Sequence, residues 1–391
     1  MTETLLSVLQ QELAQKKAEG LLRRRRLIDT PQQPHLQADG KSVLSFSSND
    51  YLGLANHPRL QAALQRGAQT AGVGSGASHL VTGHHRYHHQ LEEALAEFVG
   101  LPRALLLTTG YMANIAAICG LMGRGDALFA DKLNHASLND GALLSRAELN
   151  RYPHNDVETL ARMLESSTAP RKMVITDSVF SMDGDIAPLP ELLDLCERYN
   201  AWLLIDDAHG FGVLGEQGRG CLSHFDLRSP RIIYMATLGK AAGVSGAFID
   251  GEQVVIDYLM QHARTYIYTT AMPPALAAAS LEALKLIAQF DDRRSHLRSL
   301  IDMLKSGLHL KRWQLAESPT PIQPLLIGSN DEVLRVSEHL LEQGILVPAI
   351  RPPTVPKGSA RLRISLSAAH TEEDVQQLIH ALQQAEERLH P

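Results

Sequence analysis

The side chains best suited to chemistry follow two short apolar runs of the sequence. Residues 201–205 are followed by residues 206–210 (DDAHG), and residues 232–236 are followed by residues 237–240 (TLGK). Ligands of α/β proteins bind at the carboxyl ends of the sheet strands, so we expect Asp206 and His209 to face a site. Lys240 lies among small residues, where burial favours the neutral, nucleophilic amine that forms Schiff bases.

Simpler interpretations compete at two of these positions. Asp207 is also suited to capping the next turn, and Lys240 is also compatible with an ordinary solvated loop. A third signal follows the apolar run 104–108, where a helical pattern begins near Gly110 and Tyr111. The free amides and the dipole of a helix start favour a phosphate there.

A histidine cluster and a serine motif suggest two other chemistries. The pairs His84/His88 and His85/His89 have the i, i+4 spacing of metal ligands on a helix, but no third ligand has matching spacing. The sequence therefore predicts packing and surface histidines and no metal site. Residues 243–247 (GVSGA) nearly match a hydrolase nucleophile elbow around Ser245, but alanine replaces the final glycine.

The elements that must position these residues alternate regularly from residue 100 onward. Short apolar runs alternate with helical patterns, which predicts a mostly parallel sheet with helices on both faces. A smaller α+β domain is expected after it. We predict an N-terminal helix and arm at 1–48, with an amphipathic helix over 2–26, a large domain at 49–288 and a small domain at 289–391.

Composition excludes several classes of partner. The chain has 391 residues, with 37 Lys plus Arg against 43 Asp plus Glu, a net charge of −6. Without a long basic block, a nucleic acid is not the expected partner. No uncharged apolar stretch approaches the ~20 residues that span a bilayer. Three cysteines without a CxxC spacing predict free thiols, and we expect a cytoplasmic enzyme.

The motifs resemble the α-oxoamine synthases, a family of fold-type I enzymes that use pyridoxal 5′-phosphate (PLP). The matching stretches cover most of the chain: 47–54 (SSNDYLGL), 74–83 (GSGASHLVTG), 134–137 (NHAS), 179–185 (VFSMDGD), 206–210 (DDAHG) and 237–240 (TLGK). Two positions depart from the usual pattern, with Tyr111 where phenylalanine is common and Asp177-Ser178 where Glu-Gly is frequent.

The C-terminal motif is similar to one branch of this family. Residues 349–356 (AIRPPTVP) and 360–363 (ARLR) resemble the members that condense L-alanine with a pimeloyl thioester in biotin biosynthesis, carried by coenzyme A or by a carrier protein. Relatives that condense glycine with an acyl-CoA usually lack the Arg-Pro-Pro-Thr form, and they are the alternative. A non-catalytic protein of the same fold is a second rival.

The resemblance assigns the cofactor contacts. Lys240 would hold PLP and later remove the Cα proton, while Asp206 would pair with the pyridine nitrogen. His209 would bond the ring oxygen, Ser181 would help to set that geometry, and His135 would stack on the ring. The phosphate would be bound by Gly110, Tyr111 and Thr237, with Thr269 or Thr270 supplied by the second subunit of a homodimer.

The resemblance also assigns the substrate contacts. Arg363, with Asn49 nearby, would bind the amino-acid carboxylate, because a planar guanidinium suits that anion. His135 would also contact substrate. Arg23 and Thr354 would contact the pimeloyl group. For Arg23, a solvated basic face within the run 23–26 is the competing interpretation.

Overall fold

The computed structural model describes residues 4–389, which form two compact units. The larger unit comprises residues 49–181 and 185–296. The smaller unit comprises the described parts of 1–48 and 297–391, together with 182–184. The domain boundaries at 48/49 and 288/289 stay a sequence-based prediction.

The elements of the described residues alternate along most of the chain. The helices are α1 (Leu5–Ala18), α2 (Pro58–Ala71), α3 (Arg86–Val99), α4 (Gly110–Leu121), α5 (Ala136–Ser145), α6 (Val157–Ser166), α7 (Leu189–Arg198), α8 (Cys221–Phe225), α9 (Gln253–His262), α10 (Arg264–Ile267), α11 (Pro274–Gln289), α12 (Asp291–Gly307), α13 (Asn330–Glu342) and α14 (Glu372–Leu389). The strands are β1 (His35–Ala38), β2 (Lys41–Ser45), β3 (Arg103–Leu107), β4 (Ala127–Asp131), β5 (Glu148–Tyr152), β6 (Lys172–Asp177), β7 (Trp202–Asp206), β8 (Ile232–Thr237), β9 (Ala247–Gly251), β10 (Gln314–Leu315), β11 (Ile322–Gly328), β12 (Ile345–Leu346), β13 (Ala349–Ile350) and β14 (Ala360–Ser365).

The larger unit is built on a seven-stranded sheet of order β3-β9-β8-β7-β6-β4-β5. Neighbouring strands from β8 to β5 pair in parallel, and β9 is antiparallel to both β8 and β3. The near-continuous apolar runs become buried strands because both faces of a parallel sheet are covered by helices. The predicted fold class, a mostly parallel sheet with helices on both faces, is confirmed.

The smaller unit contains two small sheets with the orders β1-β2-β12 and β10-β11-β14-β13. Its last helix, α14, starts at the predicted capping box. The Asp374 amide donates to the Thr371 hydroxyl over 3.2 Å, and the Thr371 amide donates to the Asp374 carboxylate over 2.9 Å. Across residues 4–389, none of the helices combines the length and apolarity that crossing a membrane requires.

The N-terminal helix is shorter than the predicted span of 2–26. Residues 2 and 3 of the predicted span lie outside the described range. Helix α1 runs from Leu5 to Ala18, and Gly20 takes a φ of +66° that a helix does not allow. The leucine stripe is exposed, from 45% at Leu9 to 74% at Leu5. Amphipathic spacing indicated the helix, but it did not fix where the helix ends or whether the stripe is buried.

Candidate active site

The ends of β7 and β8 bring Asp206, His209 and Lys240 into one region of the larger unit. The two strands are parallel neighbours, with Asp206 opposite Met235. His209 follows β7 by three residues, Lys240 follows β8 by three, and the Lys240 Nζ lies 3.1 Å from the His209 Nε2. Parallel strands end at the same edge of the sheet, which is why residues far apart in sequence meet there.

A hydrogen-bond chain continues from Lys240 through His209. The Lys240 amine donates to the His209 Nε2, so the proton of the imidazole is on Nδ1, 2.7 Å from the Tyr51 hydroxyl. The Tyr51 hydroxyl in turn donates to the Asn49 Oδ1 over 3.2 Å. This chain fixes the orientation of the His209 ring and places Asn49 at its far end.

Asp206 is held by the chain's own amides. Its Oδ2 accepts from the Asn114 Nδ2 over 2.7 Å, and its Oδ1 accepts from the Ala208 amide over 3.0 Å. A carboxylate has about four lone-pair sites, so it has capacity for another donor. Asn114 is fully buried on the apolar helix α4, and its Oδ1 lacks a partner among the described residues.

His135 is connected to Asp206 through two further side chains. The Asn114 Nδ2 also donates to the Ser137 Oγ over 2.8 Å, and the Ser137 hydroxyl lies 2.7 Å from the His135 Nδ1. The Ser137 amide also donates to that Nδ1, so Nδ1 is an acceptor and Nε2 bears the proton. Burial lowers the pKa of His135, Asp206 opposes that shift, and Lys240 adds to it. The imidazole is therefore neutral at physiological pH.

Asp177 fixes the backbone beside His135. It lies at the end of β6 and accepts from the His135 amide over 2.7 Å. Burial, reinforced by the charge of Asp206, raises the pKa of Asp177 well above its usual range. The shorter carboxylate at this position, a departure from the family pattern, still reaches the backbone it anchors.

The start of α4 lies beside the end of β8. A Cβ placed on Gly110 would be 3.9 Å from the Thr237 Cβ, so the helix start and that side chain are neighbours. The Thr237 hydroxyl donates to the Gly246 carbonyl and accepts from the Gly239 amide. The first amides of α4 have no carbonyl partner within the helix, and the positive end of its dipole lies there.

The remaining predicted contacts of the larger unit lie on loops and at a helix start. Tyr111 is 44% exposed and its hydroxyl donates to Asp140. Ser181 and Thr269 are half-buried, while Thr270 is exposed and pairs with Ser78 in an isolated bridge. Their predicted roles stay predictions.

The predicted substrate residues divide between the units. Asn49 begins the larger unit, whereas Arg23, Thr354 and Arg363 belong to the smaller one. Arg363 is 5% exposed on β14 and donates to the Ser365 hydroxyl over 2.8 Å. Arg23 and Thr354 are exposed. Burial, followed by repulsion from Arg23, lowers the pKa of Arg351, so these two guanidiniums share one region of the smaller unit.

The donor set fits PLP. A buried carboxylate suits a protonated pyridine nitrogen, a helix start beside a threonine suits a phosphate, and a lysine amine suits an aldehyde carbon. All three groups lie at one edge of the sheet. Four further residues complete the arrangement, and the sequence alone assigns no role to them: Tyr51, Asn114, Ser137 and Asp177. An asparagine within an otherwise apolar helix was the one available signal, at Asn114.

Comparisons with known proteins identify the family of the chain. Residues 41–382 match the family model described as aminotransferase class I and II. Two relatives are 8-amino-7-oxononanoate synthases. That of Methylobacillus flagellatus is 61% identical over 98% of this chain and 97% of its own, and that of Nitrosospira multiformis is 62% identical over 96% and 95%.

Solved structures give the same result. The serine palmitoyltransferase of Sphingomonas wittichii has a TM-score of 0.92 at 30% identity, covering 98% of both chains. The 8-amino-7-oxononanoate synthase of Francisella tularensis has a TM-score of 0.76 at 31% identity, covering 89% of this chain and 99% of that one.

Fold and site together define a fold-type I, PLP-dependent acyltransferase. Within that class, the chain belongs to the 8-amino-7-oxononanoate synthase family.

Proposed function

We propose that this enzyme condenses L-alanine with a pimeloyl thioester to give 8-amino-7-oxononanoate, a step of biotin biosynthesis. The new carbon–carbon bond forms between the alanine Cα and the thioester carbonyl, the thiol leaves, and the alanine carboxylate is lost as CO2. The observation that most supports this substrate pair is the 61% identity to the Methylobacillus flagellatus enzyme over nearly the whole chain.

Bound PLP supplies a carbon that reacts with amines and a ring that accepts the electron pair released at the alanine Cα. Lys240 contributes the amine that holds the cofactor and, once free, the base that removes the Cα proton. Its 3.1 Å contact with the His209 Nε2 orients the Nζ. Asp206 keeps a proton on the ring nitrogen, because a carboxylate stabilises the charged form.

His135 acts as a neutral platform and donor. Its Nδ1 is occupied by Ser137, so the Nε2–H is the group available to the substrate carbonyl, while the imidazole face is available for stacking. Ser181 helps to set the ring oxygen, and Gly110, Tyr111 and Thr237 bind the phosphate. A neutral imidazole suits stacking on a cationic ring, where an imidazolium would be repelled.

Substrate contacts complete this proposal. Arg363 binds the alanine carboxylate, and Asn49 is assigned to the same group. Arg23 and Thr354 contact the pimeloyl chain, and the two guanidiniums of Arg23 and Arg351 suit its terminal carboxylate. The active form is a homodimer in which Thr269 or Thr270 reaches the phosphate of the partner's site, and we place the enzyme in the cytoplasm.

The substrate test compares donors and acceptors in one assay. Purified holoenzyme is incubated with L-alanine, glycine or L-serine and with pimeloyl-CoA or a pimeloyl carrier protein, and products are identified by mass spectrometry. We expect 8-amino-7-oxononanoate from alanine and a pimeloyl thioester. Faster turnover of glycine with acetyl-CoA or succinyl-CoA would instead assign the enzyme to the other branch.

The cofactor attachment is tested separately. Borohydride reduction of the holoenzyme followed by peptide mass analysis is expected to find the pyridoxyl group on Lys240. A pyridoxyl group on another lysine, or on none, would refute the assigned role of Lys240 irrespective of the substrate.

A further inference from the structure

A second cluster of polar side chains surrounds the start of α3, and none of its members has a role in the proposed reaction. His84, His89 and Glu92 each offer one ligand atom, and these three atoms lie within 4.8 Å of one another. The His84 Nε2 is 3.9 Å from the Glu92 Oε2. His89 and Glu92 are three residues apart on α3, so they share one helix face.

Two of these side chains are already oriented by neighbouring groups. The His84 Nδ1 is 2.9 Å from the Nδ1 of His79, which is buried and stacks on the Tyr266 ring. The Glu92 Oε1 accepts from the Leu106 amide over 2.9 Å, which leaves Oε2 towards His84. Supporting hydrogen bonds of this kind orient the ligands of metal sites in proteins.

Two neighbouring histidines, His85 and His88, make structural hydrogen bonds and are not part of the proposed ligand set. The His88 Nδ1 accepts from the His85 amide over 3.0 Å, and its Nε2 donates to the Met272 carbonyl over 2.8 Å. Both ring nitrogens of His88 are therefore engaged. The His85 Nδ1 accepts from the Tyr87 amide and caps α3. The fold does bring the i, i+4 pair His84/His88 together, but both ring nitrogens of His88 already have hydrogen-bond partners.

We propose that His84, His89 and Glu92 bind a divalent transition-metal ion of the zinc and cobalt class, with water completing the coordination. Two imidazole nitrogens and one carboxylate oxygen form a donor set that such ions prefer. When the His84 Nε2 is a ligand, its Nδ1 carries the proton and donates to His79. The ion would tie the turn before α3 to the helix itself.

His89 is the most exposed ligand of the proposed site. Its side chain is 65% exposed, against 30% for His84 and 14% for Glu92, and its ion-pair partner is the exposed Glu93 carboxylate at 3.4 Å, so binding an ion would not disturb the core. For the same reason, His89→Ala leaves the fold intact and tests the site cleanly. Glu92→Gln keeps the acceptor for the Leu106 amide and removes only the charge and one ligand oxygen.

The test uses the PLP-bound enzyme after treatment with a chelator. Zn²⁺ binding is measured by equilibrium dialysis, and Co²⁺ is titrated while its visible ligand-field absorption is followed beside the cofactor band. We expect stoichiometric binding by the natural protein and its loss in His89→Ala and Glu92→Gln. His79→Phe, which retains the stacking on Tyr266, should weaken binding by about 10-fold.

A matched control variant and two possible contrary results complete the test of the metal site. His262→Ala removes an exposed histidine outside the cluster, so its Zn²⁺ binding should equal that of the natural protein. The proposal is overturned if the natural protein fails to bind Zn²⁺ and Co²⁺. It is equally overturned if His89→Ala binds them unchanged.

Discussion

Asp206 and Asp207 are consecutive carboxylates at the end of one strand, and the fold gives them opposite surroundings. Successive side chains of an extended chain point to opposite sides. Asp206 turns towards Asn114, while Asp207 turns into a packed loop, where it accepts from the Ser178 hydroxyl, from the Tyr234 hydroxyl over 2.7 Å and from the Cys221 amide over 2.9 Å.

The difference shows how a carboxylate becomes available for chemistry. A Cβ on Gly210 would lie 2.1 Å from the Asp207 Oδ1, and one on Gly220 would lie 2.2 Å from its Oδ2, so no ligand has room there. Burial raises the pKa of Asp207 to about 6, and its three donors oppose that shift. Asp206 accepts two amides and keeps spare acceptor capacity. The two carboxylates occupy neighbouring positions of the chain, so packing decides which of them can contact a ligand.

The largest effect is expected at Lys240. In the proposed mechanism Lys240→Ala removes both the amine that holds the cofactor and the base, so product formation should fall by more than about 1,000-fold. Steady-state product assays measure the loss, while thermal melting should show an intact fold. Lys285→Ala, at an exposed lysine of α11, serves as control. Turnover near that of the natural enzyme would contradict the mechanism.

Asp206→Asn tests the carboxylate that we propose to pair with the ring nitrogen. An amide would not keep that nitrogen protonated, so we expect kcat to fall by about 100-fold. Melting temperature should change little, and the absorption band of the bound cofactor should shift. A normal kcat in this variant would mean that the ring nitrogen does not pair with Asp206.

Asp207→Ala tests the structural member. It leaves the Ser178 hydroxyl, the Tyr234 hydroxyl and the Cys221 amide without their buried acceptor, so the free energy of unfolding should fall by about 3 kcal/mol. Denaturant titration measures this, and Asp207→Asn, which keeps one acceptor oxygen, should lose less. If Asp207→Ala melted normally but lost activity, the two roles would have to be exchanged.

Two other carboxylates, those of Asp131 and Asp185, bind a charged histidine, His154. Its Nδ1 lies 3.0 Å from Asp131 and its Nε2 lies 2.8 Å from Asp185. Burial opposes the charge, but these two partners prevail and raise the pKa of His154 to about 10 from 6.5. The contribution of charged His154 to the free energy of unfolding is therefore complete below pH 6.5 and is lost as the pH rises through 10.

His154→Gln should lower the free energy of unfolding by about 2 kcal/mol at pH 6. Denaturant titrations of both proteins at several pH values should show that difference shrinking towards pH 10. His262→Gln, at an exposed histidine that does not contact Asp131 or Asp185, should show no such dependence on pH. A difference that stays constant with pH would mean that His154 is uncharged in the folded enzyme.

The sequence was most informative where the physics is local. The apolar runs 104–108, 201–205 and 232–236 became β3, β7 and β8 with ends shifted by at most one residue, and the Thr371 capping box starts α14 as expected. The buried strand β9 was not predicted. The motif residues Asp206, His209 and Lys240 needed only the rule that parallel strands end at one edge. Helix α1 was harder, because spacing alone does not say where a helix ends.

Tertiary structure decided the partners of those residues. Asn114 reaches Asp206 across 92 positions of sequence, and Tyr51 reaches His209 across 158. Likewise, His84 meets Glu92 as well as His88, and the Met272 carbonyl occupies the Nε2 of His88. Residue types and spacing by themselves determined the class of chemistry, since they record what each side chain can do. Which carboxylate faces the site and which histidines meet depends on long-range packing, which no local pattern encodes.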